Sequence, residues 1–132
     1  MRGPQTWPDV ELLVIERIRD GLGSVHVGTD VPAAAAATSV RVQRVGGPRS
    51  QVLDQARILL EVRAPDRGDA SDLTGQVRDL LRRLPGAHDE GTVTGVQEVG
   101  GPAWLPDPLT AAPRFTLTAL VMVKPVDVPD ST

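Results

Sequence analysis

Apolar positions along the chain switch between two spacings. Val10, Leu13, Val14, Ile18 and Leu22 recur every three or four residues, which predicts a helix over about Thr6–Leu22. Leu12 and Ile15 widen its apolar surface and predict packing on two sides. Thr6-Trp7-Pro8-Asp9 has the form of a capping box, with Pro8 in the first turn, where a missing N–H costs nothing. Gly21 and Gly23 supply the stop. The second helical period is Leu73, Val77, Leu80, Leu81 and Leu84, with a cap in Asp69-Ala70-Ser71-Asp72 and an end at Pro85-Gly86.

Between and after the helices the period is two. Val25 and Val27 alternate in a short strand. The Ala33–Ala37 run after Pro32 reads as a loop or one short turn. Val40, Val42 and Arg44 face one way in the next strand; Arg41, Gln43 and Val45 face the other. After Gly46-Gly47-Pro48, the residues Ile58, Leu60, Val62 and Ala64 alternate with Arg57, Leu59, Glu61 and Arg63. These two strands predict a hairpin joined by a long, projecting connection from Gly46 to Gln55. A strand over about Thr92–Val99 follows the second helix, with Gly95 as a candidate bulge. The last strand, Phe115–Lys124, sets Phe115, Leu117, Ala119, Val121 and Val123 on one side and adds Leu120 and Met122 on the other. A strand apolar on both faces is central in its sheet or covered by a partner.

The order α-β-β-β-α-β-β predicts an α+β fold: an antiparallel or mixed sheet with both helices packed on one face. The 132 residues fit one domain, 1–132, with an ordered core over about 6–124 and a polar, frayed tail over 125–132.

Composition narrows the function classes. Net charge is −3 with both signs interspersed, and the aromatics are only Trp7, Trp104 and Phe115, which argues against a nucleic-acid reader. There is no cysteine, so disulfides, thiolate catalysis and Cys-based zinc sites are excluded. No segment approaches the roughly 20 apolar residues of a membrane span, and Met1–Pro8 has no hydrophobic signal core.

Candidate chemistry is sparse. His26 sits in a strand without a carboxylate or nucleophile nearby and reads as a surface or edge histidine. His88-Asp89-Glu90 lies between a helix stop and Gly91 and reads as a solvated turn. Gly46-Gly47 and Gly100-Gly101 each precede Pro and suit sharp turns better than phosphate cradles. No catalytic, cofactor-binding or metal-binding residue is therefore assigned. Arg41, Arg44, Arg49 and Arg57, with Asp54 and Glu61 among them, could pair across a subunit interface or form a plain solvated face; DNA contact is the weaker reading. The stretch Gly100–Leu109 carries three prolines and Trp104. It is either a stiff binding loop, with Trp104 and Leu105 as anchors, or a flap folded over its own core. The interface candidates are Arg41, Arg44, Arg49, Asp54, Arg57, Trp104, Leu105, Leu120 and Met122.

A resemblance gathers these pieces. The run Val40-Arg41-Val42-Gln43-Arg44-Val45-Gly46-Gly47, then Asp54-Gln55-Ala56-Arg57-Ile58, then Gly101-Pro102 with Leu105-Pro106-Asp107-Pro108 and Arg114-Phe115-Thr116-Leu117-Thr118 resembles the tail terminator (tail completion) proteins of long-tailed, non-contractile bacteriophages, especially those of actinobacterial hosts. The likeness covers about Pro8 to Lys124. It implies a structural virion protein with no catalytic residue or cofactor. It also implies a hexameric ring on the head-proximal end of the tail tube, which ends tube polymerisation and joins the head. The implied partners are further copies of the chain, the tail tube protein and a head–tail connector, assembled in the host cytoplasm. No membrane and no sequence-specific nucleic acid is implied, although DNA could pass the ring lumen. Another neck protein, or a ferredoxin-like ligand-binding regulatory domain, stays open as an alternative.

Overall fold

The structure, a computed structural model, describes residues 5–30 and 38–127. The Ala33–Ala37 run and the tail beyond Asp127 lie outside the described residues. In chain order the elements are β1 (Gln5–Thr6), α1 (Val10–Leu22), β2 (His26–Gly28), β3 (Ser39–Arg44), β4 (Asp54–Arg63), α2 (Arg67–Arg82), β5 (Gly86–His88), β6 (Gly91–Trp104), β7 (Arg114–Val123) and β8 (Val126–Asp127). Six strands form one sheet in the order β2-β3-β4-β7-β6-β5. Only β2 and β3 are parallel, so the sheet is mixed.

Both helices cover one face of this sheet, as the alternation predicts. Val40 and Val42 of β3, Ala56, Ile58, Leu60 and Val62 of β4, and Leu117, Ala119, Val121 and Val123 of β7 all point into one continuous core. Val10, Leu13, Val14 and Ile18 of α1 and Leu73, Val77 and Leu81 of α2 close it from above. Each fully buried Val or Leu stabilises the fold by about 1.5–3 kcal/mol relative to exposure. Ile15 joins the core while Leu12 stays exposed, so α1 buries a broad single stripe and not two sides.

Several expected boundaries move, each for a local reason. Helix α1 starts at Val10 and is capped by Asp9, whose carboxylate accepts from Leu12 N at 3.0 Å. Thr6 is not its cap: Gln5–Thr6 pairs antiparallel with Val126–Asp127. Val126–Asp127, in the segment expected to be a tail, thus form the second strand of that pair. Helix α2 begins a turn earlier than the Asp69–Asp72 cap, because Asp66, right after Pro65, accepts from Asp69 N at 2.8 Å. The His88-Asp89-Glu90 turn closes a short β5–β6 hairpin, and Glu90 is only partly solvated, since Arg17 reaches it at 3.2 Å.

Strand β6 is the largest difference. It continues through Gly100-Gly101-Pro102 to Trp104, where a loop is expected. Three register shifts against β7 absorb the glycines and the proline, each adding one extra residue on β6. The first is the Gly95 bulge. The true β6–β7 loop is Leu105–Pro113.

Candidate assembly surfaces

The connection between β3 and β4 forms a narrow arm, Val45–Leu53, which follows β4 as far as Pro48 and passes the last β4–β7 pair, Asp54 with Val123, only at Arg49–Leu53. The expected hairpin forms, and its connection is shorter than Gly46–Gln55 because Val45 N to Arg57 O, Arg57 N to Gly46 O and Gln55 N to Pro48 O continue the pairing. Gly47 makes this possible. Its φ is +104°, and a Cβ there would stand 2.0 Å from the carbonyl oxygen of Gln55. At the tip, Ser50 Oγ accepts from Val52 N and Leu53 N, which leaves the Val52 side chain 61% exposed.

The arm's base is an ion cluster. The Asp54 side chain is fully buried. It receives both terminal nitrogens of Arg44 at 2.7 Å and Arg49 Nη2 at 3.1 Å. Burial pushes the Asp54 carboxyl up, but the hydrogen bonds and charges of Arg44 and Arg49 outweigh it and hold it below the usual carboxylate range. The hydrogen bond to Asp54 raises Arg44 in turn. Glu11 of α1 accepts from Arg44 N at 2.8 Å, and Arg49 lies 4.7 Å over the ring of Trp7. The arm is thus tied to the start of α1.

The second surface is the sheet face turned away from the helices. Leu59, Leu120 and Met122 lie there half-buried. Arg57 and Gln97 stand opposite Leu120, and Gln55 and Gly95 opposite Met122. Arg57 is exposed and has no side-chain partner among the described residues.

One end of this face holds a second ion cluster, on the alternate positions of β4. Glu61 receives Arg114 at 2.9 Å and Arg41 at 3.0 Å, with Arg63 at 3.7 Å. Arg63 also binds Asp107 at 3.0 Å. Asp107 accepts from Leu109 N and Thr110 N as well. These bonds, led by Leu109 N, hold its carboxyl down at about 2. Arg114 Nε donates to Leu105 O at 2.9 Å. The Leu105–Pro113 loop is pinned to the sheet in this way, and it presents Leu109 at 94% exposure.

The predicted interface residues therefore divide. Arg44, Arg49 and Asp54 come together at the arm; Arg41 and Arg57 lie on the opposite face of the sheet, Arg41 engaged by Glu61. Leu120 and Met122 sit on the open face, and Leu105 is exposed at the start of the pinned loop. Trp104 packs against Phe115 with ring centres 5.2 Å apart, under Arg67 at 4.5 Å, on the helix side. Trp7, Leu59, Arg63, Asp107, Leu109 and Arg114 were not among the expected site residues. The period of β4 already places Arg63 opposite the core positions, and Arg114 precedes the alternating run of β7. Nothing in the sequence marks Trp7 as the lid on Arg49.

His26 and His88 occupy the two edge strands, where their ring nitrogens meet Asp30 O at 3.0 Å and Leu84 O at 2.6 Å. Among the described residues, no group of three or more His, Cys, Asp or Glu side chains could hold a metal. Among the described residues, no helix is long and apolar enough to cross a membrane.

Comparison with known proteins gives two findings. The sequence profile of the family described as "Phage tail termination protein" matches residues 6–124. A chain from a solved structure titled "Virion of native gene transfer agent (GTA) particle" superposes with a TM-score of 0.57 at 15% identity, covering 87% of this chain and 94% of that one. At that identity the likeness speaks for the fold alone. No curated protein matches the sequence.

Proposed function

The chain belongs to the phage tail termination protein family, and on that basis we propose that it caps the head-proximal end of a tail tube as a ring, ending polymerisation and offering the surface that joins the head. It is a structural protein of the virion tail. The observation that carries the assembly reading is the one-sided sheet. Helices cover one face, while the other leaves Leu59, Leu120 and Met122 half-buried among Gln and Thr. That mixture suits a contact face, where an apolar centre is ringed by polar groups.

A closed ring needs two different patches that match head to tail. The open face, the β3–β4 arm and the Leu105–Pro113 loop lie on separate parts of the chain and supply that asymmetry. Arg57, Leu105, Leu120 and Met122 are the contact residues in this reading. Arg41, Arg44, Arg49 and Asp54 act from within the chain, by holding the arm and the open face in shape. Trp104 stiffens β6 next to the loop. Six copies form the ring, with the tube protein on one side and a head–tail connector on the other. DNA passes the lumen without base-specific contact.

Sedimentation of the purified chain, alone and mixed with tube protein, tests this. A ring-sized species, or co-sedimentation with tubes, is expected. A monomer under both conditions would overturn it.

A further inference from the structure

The sheet ends in two unlike edges. On one side β2 is three residues long and already capped, because Arg19 donates to the Val27 carbonyl at 2.8 Å. On the other side β5 covers β6 only at Gly91–Val93. From Thr94 to Trp104, no strand lies along the outer side of β6 among the described residues. Such an edge is a template for another strand unless charge or distortion blunts it. Charge does not blunt this one. Glu98 is its only ionic residue, and Arg78 holds it by two bonds of 2.8 and 2.9 Å. The bulges and Pro102 divide it into short lengths, of which Gly95–Glu98 runs without irregularity.

The β3–β4 arm matches this edge. It is braced by the backbone bonds of Gly46 and Pro48 to β4 and by the Ser50–Leu53 turn, so little freedom is lost when it docks. Arg49 is its only charge, and Asp54 and Trp7 engage it. Its exposed side chains include Val45 and Val52, and the edge exposes Val99.

We propose that the arm of one copy lies along the open edge of β6 in the next copy, extending the sheet through backbone hydrogen bonds and covering Val52 against the Val99 region. This rests on the ring reading above and names its contact. The occupant is a second copy because arm and edge belong to different surfaces of one chain. Their pairing is therefore head to tail, the arrangement that can close. Neither side brings an unengaged charge, so the backbone groups pair without stripping water from an ion.

The absence of cysteine gives a clean test. Val52→Cys and Val99→Cys are made as separate variants, mixed with tube protein present, and treated with a short bis-maleimide. The contact predicts a covalent dimer in the mixture and none with either variant alone. In unmodified assemblies, amides of residues 94–104 should exchange at least about tenfold more slowly than in the free chain. Assemblies that form without that protection and without the mixed cross-link would overturn the contact while leaving the ring intact. Cross-linking of Val52→Cys to itself would overturn it too, by showing arm against arm. Failure of any assembly to form would remove the ring reading, and this contact with it.

Discussion

Replacing Asp54 with Asn should loosen the arm without unfolding the protein. The carboxylate is fully buried and accepts three hydrogen bonds, all from arginine. Asn keeps the shape, but it loses the charge and turns one acceptor into a donor facing a guanidinium. Breaking a fully buried pair costs about 3–5 kcal/mol. Here Arg44 keeps 26% and Arg49 43% of its side chain in water, so both recover solvation when released. The expected loss is therefore about 2–3 kcal/mol, or a melting point lower by roughly 10 °C. Urea denaturation followed by circular dichroism at pH 7 measures it. The pH dependence has a definite sign. The native Asp54 pKa lies below its unfolded value, so its contribution is complete above the unfolded value, near 4, and is lost as pH falls through the lower native one. The gap between wild type and D54N should stay level from neutral pH down to about 5 and close in stronger acid. Equal midpoints at pH 7, or a gap that widens in acid, would refute the claim that this ion cluster holds the arm.

Three further outcomes follow from the same geometry. Gly47→Ala combines a positive φ with a backbone collision and should cost about 3 kcal/mol or more, while Gly46→Ala, at positive φ but in open space, should cost about 1–2 kcal/mol, both read by urea midpoints. Asp107→Asn should unpin the Leu105–Pro113 loop. Because Asp107 titrates at about 2, the melting-point gap to wild type should persist above pH 4 and vanish only as pH falls toward 2. Leu120→Glu on the open face should keep monomer stability within about 1 kcal/mol yet abolish assembly in sedimentation.

Much of the fold is legible from periodicity, because one face of each strand and helix meets a single aliphatic core. The alternation of Ile58, Leu60 and Val62 and the stripe of Leu73, Val77 and Leu81 leave little freedom. What periodicity misreads is backbone chemistry. The Gly-Gly-Pro stretch of β6 looks like a loop because the two bulges at Glu98–Gly100 and Gly100–Ala103 break the period of two, yet β7 still pairs with Gly100 and Ala103. Thr6 looks like a cap because its pairing partner lies 120 residues away. The arginines near the arm look like one patch in sequence, but alternation sends Arg41 and Arg57 to one face and Arg44 to the other. Side-chain pairing across strands, as between Glu61 and Arg114 or Arg63 and Asp107, depends on the register and on a loop fold that spacing alone does not encode.

In the function proposed above, this chain stops a tail tube by forming a ring on its end. Electron microscopy of tube protein polymerising with and without the purified chain tests that most directly. Tubes should cease to lengthen once the chain is added, each bearing a ring of extra density at one end. Tubes that grow to the same lengths with bare ends would contradict it.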